Sequence, residues 1–287
     1  MATLREIKRR IDSVKSTKHI TKAMKMVAAA KLRKAQQQLA FIRPFADELG
    51  GVIGTIARQP VAKNHDYFAH QPAKRVCYVL ITADRGLCGS YNTNLIRLAE
   101  EKLSASDSEK SFVAVGKKGY DHFRRHGIPL AGKYIDFFSK LSYNDAVKIA
   151  KSLMIQFDKK RFDHIYIIYN TFTTIVQQTV CLQQFLPILP ARPIDSAPVT
   201  TVFEPHPINI LNKILPMSLH HNMYRILLES FTAEQSARMT AMETASDNAD
   251  EMIKKLVLYY NKARQTAITT ELTEIVGGAE ALKGYKS

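Results

Sequence analysis

The sequence predicts an α/β protein in which the N- and C-terminal segments form a long antiparallel coiled coil and an α/β domain is inserted between them. Three observations carry this expectation. Residues 1–43 contain no glycine or proline and repeat apolar residues in steps of three and four, and residues 217–276 are likewise free of both. Between the two arms, short β-rich apolar runs alternate with helical stretches.

In the first arm the register Leu4, Ile7, Ile11, Val14 resumes as Ala28, Leu32, Ala35, Leu39, Ile42. A helix of that length, roughly 65 Å, gains too little from its own hydrogen bonds and needs a partner along its length. The strict register is polar in the middle, at Lys18, Thr21 and Lys25, while apolar residues fall at Ile20, Met24 and Val27. This pattern reads either as a seam slipped towards another surface or as a local stutter in the supercoil. The second arm follows Pro216 and runs Leu219, Met223, Ile226/Leu227, Phe231, then Met252/Ile253, Leu256, Tyr259/Tyr260, Ala263, Ile268, Leu272 and Ile275. Gly277-Gly278 is the expected stop. Its weak section, Thr232 to Ala249, is rich in Ala and Ser and suits either close helix approach or a helix held in a tight surround. Each helix is the natural mate of the other in an antiparallel hairpin, and the pattern by itself is also compatible with parallel pairing in a homodimer.

The middle contains Arg75–Thr82, a continuous apolar run of the kind found in buried parallel strands, followed by Phe112–Val115 and Ile165–Tyr169 of the same type. Asn94–Lys102, His122-Phe123 and Ala146–Phe157 supply helical stretches, and Thr171–Leu186 reads as a further strand at an edge. A mostly parallel, Rossmann-like sheet follows. The expected division is residues 1–57 as the first coil helix, 73–190 as the α/β domain, 191–216 as a proline-rich connector, and 217–284 as the second coil helix.

The net charge of +15 is uneven: residues 1–43 carry twelve Lys/Arg against two acids, whereas residues 217–276 carry six against eight. Such a field attracts acidic partners. The lysines are interleaved with the heptads instead of lying beyond them as in basic-region zippers, and there are no interleaved aromatics for stacking bases, which argues against a nucleic-acid binder. The three cysteines lack CxxC spacing and read as reduced thiols, not a metal site. The N-terminus has no apolar h-region, so no signal peptide is expected, and no run reaches the roughly 20 apolar residues of a membrane span.

Catalysis has one candidate, the strand–loop–helix Ile81–Asn92 with Gly86 and Gly89, where phosphates are often cradled. It lacks GxGxxG, Gly116-Lys117-Lys118-Gly119 fits no phosphate motif either, and no P-loop, HExxH or GxSxG occurs. The glycines are expected to serve the turn out of the strand, and His220-His221 to be solvated or capping residues at a helix start.

Four runs together resemble the gamma subunit of F-type ATP synthases: ITKAMKMVAA at 20–29, ITADRGLCG at 81–89, MTAMETASDNA at 239–249 and YNKARQTAITTELTEIVGGA at 260–279. The resemblance spans nearly the whole chain, and the lack of a plastid-type cysteine insertion points to a bacterial form. It implies a non-catalytic central-stalk rotor of a proton-translocating ATP synthase, without cofactor or metal. The coil would lie inside a ring of three alpha and three beta subunits, the α/β domain would dock on the epsilon subunit and the membrane c-ring, and the chain would sit peripherally on the cytoplasmic face of the bacterial membrane. By the same resemblance, Met24, Lys25, Arg238, Arg264, Gln265, Thr269 and Glu271 would contact beta subunits and transfer torque. Lys25 stands where some relatives carry an acid.

Overall fold

The computed structural model describes residues 3–57, 65–68, 72–104, 108–138, 141–174, 178–188, 204 and 206–284, with side chains of the last helix described to residue 279. The chain forms two compact units, Ala28–Thr240 and the pair of segments Met1–Val27 and Ala241–Ser287. The elements are α1 (Leu4–Ala57), β1 (Arg75–Ile81), α2 (Tyr91–Ser104), β2 (Glu109–Val115), α3 (Lys117–Arg125), β3 (Leu130–Tyr134), α4 (Tyr143–Asp158), β4 (His164–Phe172), β5 (Gln178–Leu186) and α5 (Pro207–Gly284).

In the larger unit the strands lie in the order β3-β2-β1-β4-β5. The first four are parallel, and β5 returns antiparallel to β4. Both faces are covered, which is why the strands read as unbroken apolar runs. Cys77, Val79 and Ile81 enter a core with Ile149 and Leu153 of α4, Ile53 and Ile56 of α1, and Leu215 to Leu227 of α5. Val76, Tyr78 and Leu80 enter a second core with Leu95 of α2, Phe123 of α3 and Ala233 of α5. α4 starts with a capping box, in which Ser142 accepts from the Asp145 N–H and the Asp145 carboxylate accepts from the Ser142 N–H.

Four features depart from the sequence expectation. The run 171–186 is two strands, the end of β4 and β5. β3, a five-residue edge strand containing Gly132, was not anticipated. The connector expected over 191–216 gives its last ten residues to α5, which starts at Pro207 and continues through Pro216; residues 191–203 lie outside the described residues. Pro207 stands in the first turn, where a missing N–H costs nothing. Pro216 is interior and costs about 3 kcal/mol. Leu211, Leu215 and Leu219 around it are 0%, 1% and 3% exposed, and burial worth about 1.5–3 kcal/mol for each outweighs that cost. The expected stop at Gly277-Gly278 does not occur either, because neither glycine adopts the left-handed backbone that ends a helix.

In the smaller unit the seam does not slip. Leu4, Ile7, Ile11, Val14, Lys18, Thr21 and Lys25 are all buried or half-buried, with Thr21 at 8% exposure, whereas Ile20 and Val27 are 58% and 57% exposed. The polar positions stay in register because they are paired across the seam. Lys18 Nζ meets Asp250 and Lys25 Nζ meets Glu243, each at 2.5 Å, and Thr21 Oγ1 donates to the Lys18 carbonyl. One heptad forward on α1 is thus one heptad back on α5, the signature of antiparallel pairing. On α5 the facing seam is Met242, Ala245/Ser246, Ala249, Ile253, Leu256, Tyr260, Ala263 and Ala267. From Ile268 to Ala279 every side chain is exposed, because the register sets the start of α1 beside this part of α5 and no partner helix continues.

Gly116 illustrates how tightly the larger unit is closed at its strand ends. Its φ is +96°, and a Cβ there would lie 1.9 Å from the Thr82 carbonyl oxygen. Gly116→Ala is expected to destabilise the chain by about 3 kcal/mol or more, combining left-handed strain with a backbone clash. Urea unfolding within about 1 kcal/mol of the parent would contradict this closure.

Candidate functional site

The loop after β1 is the place where this fold most often binds a ligand, and here it is filled by the chain itself. The Asp84 carboxylate accepts from the N–H groups of Lys117 at 3.0 Å, Asp136 at 3.1 Å and Phe138 at 3.3 Å. It occupies the N-terminus of α3, where a phosphate would be held. Thr82 Oγ1 accepts from the Gly119 N–H at 2.9 Å, and Asn92 Oδ1 accepts from the Ala83 N–H at 2.9 Å. The turn is therefore closed by its own polar groups. Among the described residues no cluster of three or more His, Cys, Asp or Glu is arranged to hold a metal. Cys77, Cys88 and Cys181 are free. Burial pushes the Cys77 thiol up to about 12 and raises that of Cys88, the opposite of what a nucleophilic thiolate needs.

What the loop does hold is α5. Arg238 donates through Nη2 to the carbonyls of Arg85 at 3.3 Å and Gly86 at 3.2 Å, and through Nη1 to Glu234 at 2.5 Å. Glu234 is 4% exposed, and burial raises its pKa against the opposing pull of Arg238. One turn earlier the Tyr91 hydroxyl of α2 lies 3.0 Å from the Ser230 carbonyl and 2.6 Å from its Oγ. Glu229, 5% exposed at its side chain, faces Arg43 of α1 at 3.5 Å and Arg225 at 3.6 Å. From Ile226 to Ser236 every residue except Phe231 is buried, and Phe231 is half-buried. The small side chains of Thr232, Ala233 and Ser236, each 0% exposed, are what let this stretch fit a tight surround.

The seven residues implied by resemblance fall in three environments. Met24 and Lys25 are half-buried on α1, with Lys25 paired to Glu243. Arg238 has only 11% of its side chain exposed and its donors are engaged within the chain. Arg264, Gln265, Thr269 and Glu271 are exposed on the last part of α5, where Thr269 Oγ1 donates back to the Gln265 carbonyl. The structure brings the last four together and leaves Arg238 in the other unit. His220 and His221 are not at a helix start. They lie inside α5, with His221 against the rings of Phe45 at 4.7 Å and Tyr143 at 4.8 Å, and burial lowers both pKa values. The sequence reading gave no role to Asp84, Glu229 or Glu234: the partners of Asp84 come from distant segments, and nothing local marks the i,i+4 pairs of Glu229 and Glu234 as buried.

A profile of the family described as ATP synthase matches residues 3–282. The chain is 42% identical to the ATP synthase gamma chain of Geotalea daltonii over 99% of this chain and 100% of that one. It is 44% identical to that of Heliobacterium modesticaldum over 98% and 100%. Among solved structures, a chain of the Tetrahymena thermophila mitochondrial ATP synthase central stalk and c-ring has a TM-score of 0.63 at 27% identity, covering 79% of this chain and 99% of that one. A chain of the Euglena gracilis mitochondrial ATP synthase OSCP/F1/c-ring assembly has a TM-score of 0.71 over 99% and 96%; at 21% identity that likeness concerns the fold.

Removing Arg238 while keeping Glu234 leaves a buried carboxylate without its cation. Arg238→Met is expected to cost about 3–5 kcal/mol near neutral pH. Glu234 already has a raised pKa, so the deficit is absent below the unfolded value of about 4.3 and grows as pH rises through the folded one. The gap to the parent should narrow as pH falls towards 4.5, and Arg238→Met/Glu234→Gln should recover most of the loss. A gap independent of pH in chemical denaturation contradicts the pairing.

Proposed function

The chain belongs to the ATP synthase gamma-chain family, and from that premise we propose how this rotor subunit of the central stalk passes torque. It is non-catalytic itself; its partners are the alpha and beta subunits of the catalytic head, the epsilon subunit and the c-ring. Among the described residues no helix is long and apolar enough to cross a membrane, consistent with a peripheral place, which we put at the cytoplasmic face of the bacterial membrane.

The observation that carries the reading is the grip on α5 between Ile226 and Ser236. A helix buried on all sides, with Glu229 paired to Arg43 of α1, Ser230 bonded to Tyr91 of α2 and Arg238 bonded to the loop after β1, cannot turn inside its domain without breaking these contacts at once. Torque arriving at the α/β unit therefore enters α5, which continues to Gly284 without interruption. The exposed stretch with Arg264, Gln265, Thr269 and Glu271 is one surface offered to the beta subunits, and Met24 and Lys25, level with Glu243 on α5, belong to a second. Arg238 acts from inside, by fixing α5 to the Arg85–Gly86 backbone. A shaft whose faces differ presents a different contact to each of three otherwise equal subunits, and each contact shifts that subunit's open and closed populations by its differential affinity. The α/β domain, residues 73–190, serves the c-ring end of the same path.

The test is reconstitution with alpha, beta and epsilon on membranes carrying the ion-translocating sector. Arg264→Glu, exposed and without a salt-bridge partner among the described residues, should leave the melting temperature of the isolated chain unchanged and lower coupled ATP synthesis several-fold, a cost of about 1 kcal/mol in the coupling contact. Unchanged synthesis excludes this face. ATP hydrolysis by the purified chain alone would overturn the rotor reading.

A further inference from the structure

The open edge of the sheet carries a second, unassigned surface, and we infer that it binds an acidic, extended segment of a partner protein as an added strand. β3 pairs with β2 and, among the described residues, with no strand on its other side. The Tyr134 carbonyl accepts from the Gly116 N–H towards β2. Since alternate residues of a strand address opposite edges, the N–H and carbonyl of Lys133 face the free side. Unpaired edges of this kind template added strands unless they are blocked.

The usual block would be a lysine held out over the edge. Here the Lys133 ammonium is drawn back over the Tyr120 ring, 5.1 Å from its centroid, and Arg124 reaches the same ring at 5.8 Å. With Ile128, Leu130 and Gly132 these residues line a cleft of about 430 Å³ along the strand. Neither cation has a carboxylate partner among the described residues, and an exposed ring offsets only about 0.5–1 kcal/mol of such a charge. Residues 117–133 carry five Lys/Arg and a single acid, Asp121. Gly132 leaves a notch in the strand, and Ile128 and Leu130 give the cleft an apolar floor. An incoming strand that alternates carboxylates with apolar side chains satisfies all three features: it pairs with the edge, fills the floor and neutralises the two cations. A small anion satisfies only the last. The inference goes beyond the rotor reading, which gives the α/β domain to the c-ring end of the path but assigns no partner to this edge.

The test uses the full chain and a capped alternating Val-Glu peptide, with an alternating Val-Lys peptide and inorganic phosphate as controls. Amide exchange at Lys133 should slow in the acidic peptide alone. Binding should weaken at least about tenfold in the double reversal Arg124→Glu/Lys133→Glu, whose exposed positions leave the core untouched, and should fall with added salt. No protection in millimolar acidic peptide, equal protection by the basic peptide, or binding unchanged by the reversal overturns the inference. So does full displacement of the peptide by phosphate at equal concentration, which would mark an ion site instead.

Discussion

Everything in this molecule depends on the burial of one helical stretch on all its faces. Ordinary surface helices bury a stripe, and their opposite side stays wet. Between Ile226 and Ser236, α5 has no wet side. A helix in that position must solve two problems. Its side chains must be small enough to be surrounded, which Thr232, Ala233 and Ser236 achieve, and its polar groups must find partners, since an unpartnered buried group costs about 1–3 kcal/mol. Ser230 takes the Tyr91 hydroxyl, Glu234 takes Arg238, and Glu229 lies between Arg43 and Arg225. The partners come from α1, α2, α5 itself and the loop after β1. Fixing the helix and closing the loop are therefore one event.

That dependence explains what fills the first loop of a fold suited to nucleotides. Asp84 turns the N-terminus of α3 into an internal anchor by placing its own carboxylate, as acceptor of the Lys117 N–H, where a phosphate would sit. With Asp84 fixed to α3 and the strand that follows it, the backbone at Arg85 and Gly86 is rigid enough to receive Arg238. The glycines of the loop permit the turn, and the acid decides what the turn is for.

Much of the architecture was legible in the sequence, because burial on both faces writes itself as unbroken apolar runs: β1, the later half of β2 and β4 could be read directly. β3 could not, since Leu-Ala-Gly-Lys-Tyr at an edge is half wet and contains a glycine. The helix limits misled for a complementary reason. Pro216 and Gly277-Gly278 are local signals, and the first is overridden by Leu211, Leu215 and Leu219, which only the tertiary core reveals. For the site, the exposed residues near the end of α5 were reachable through family resemblance. The engagement of Arg238 with Glu234 was not, because nothing in a sequence says that a charged helix position lies in the dry interior.

The polar stretch of the coil is the instructive case. Judged by apolarity alone, Lys18, Thr21 and Lys25 break the seam, and Ile20 and Val27 look like its continuation. The structure keeps the polar residues inside and leaves Ile20 and Val27 exposed. Partly exposed ion pairs contribute little to stability, about 0–1 kcal/mol each, so energy of pairing alone does not explain them. Their effect is on register. An all-apolar seam tolerates a shift by one heptad, whereas Lys18 opposite Asp250 and Lys25 opposite Glu243 are satisfied in only one alignment. The same choice frees Ile20 and Val27 from the coil. A coil that specifies its alignment with charges can leave apolar side chains on its outer face, and this exchange of roles between polar and apolar positions is what aligns the two helices without an all-apolar seam.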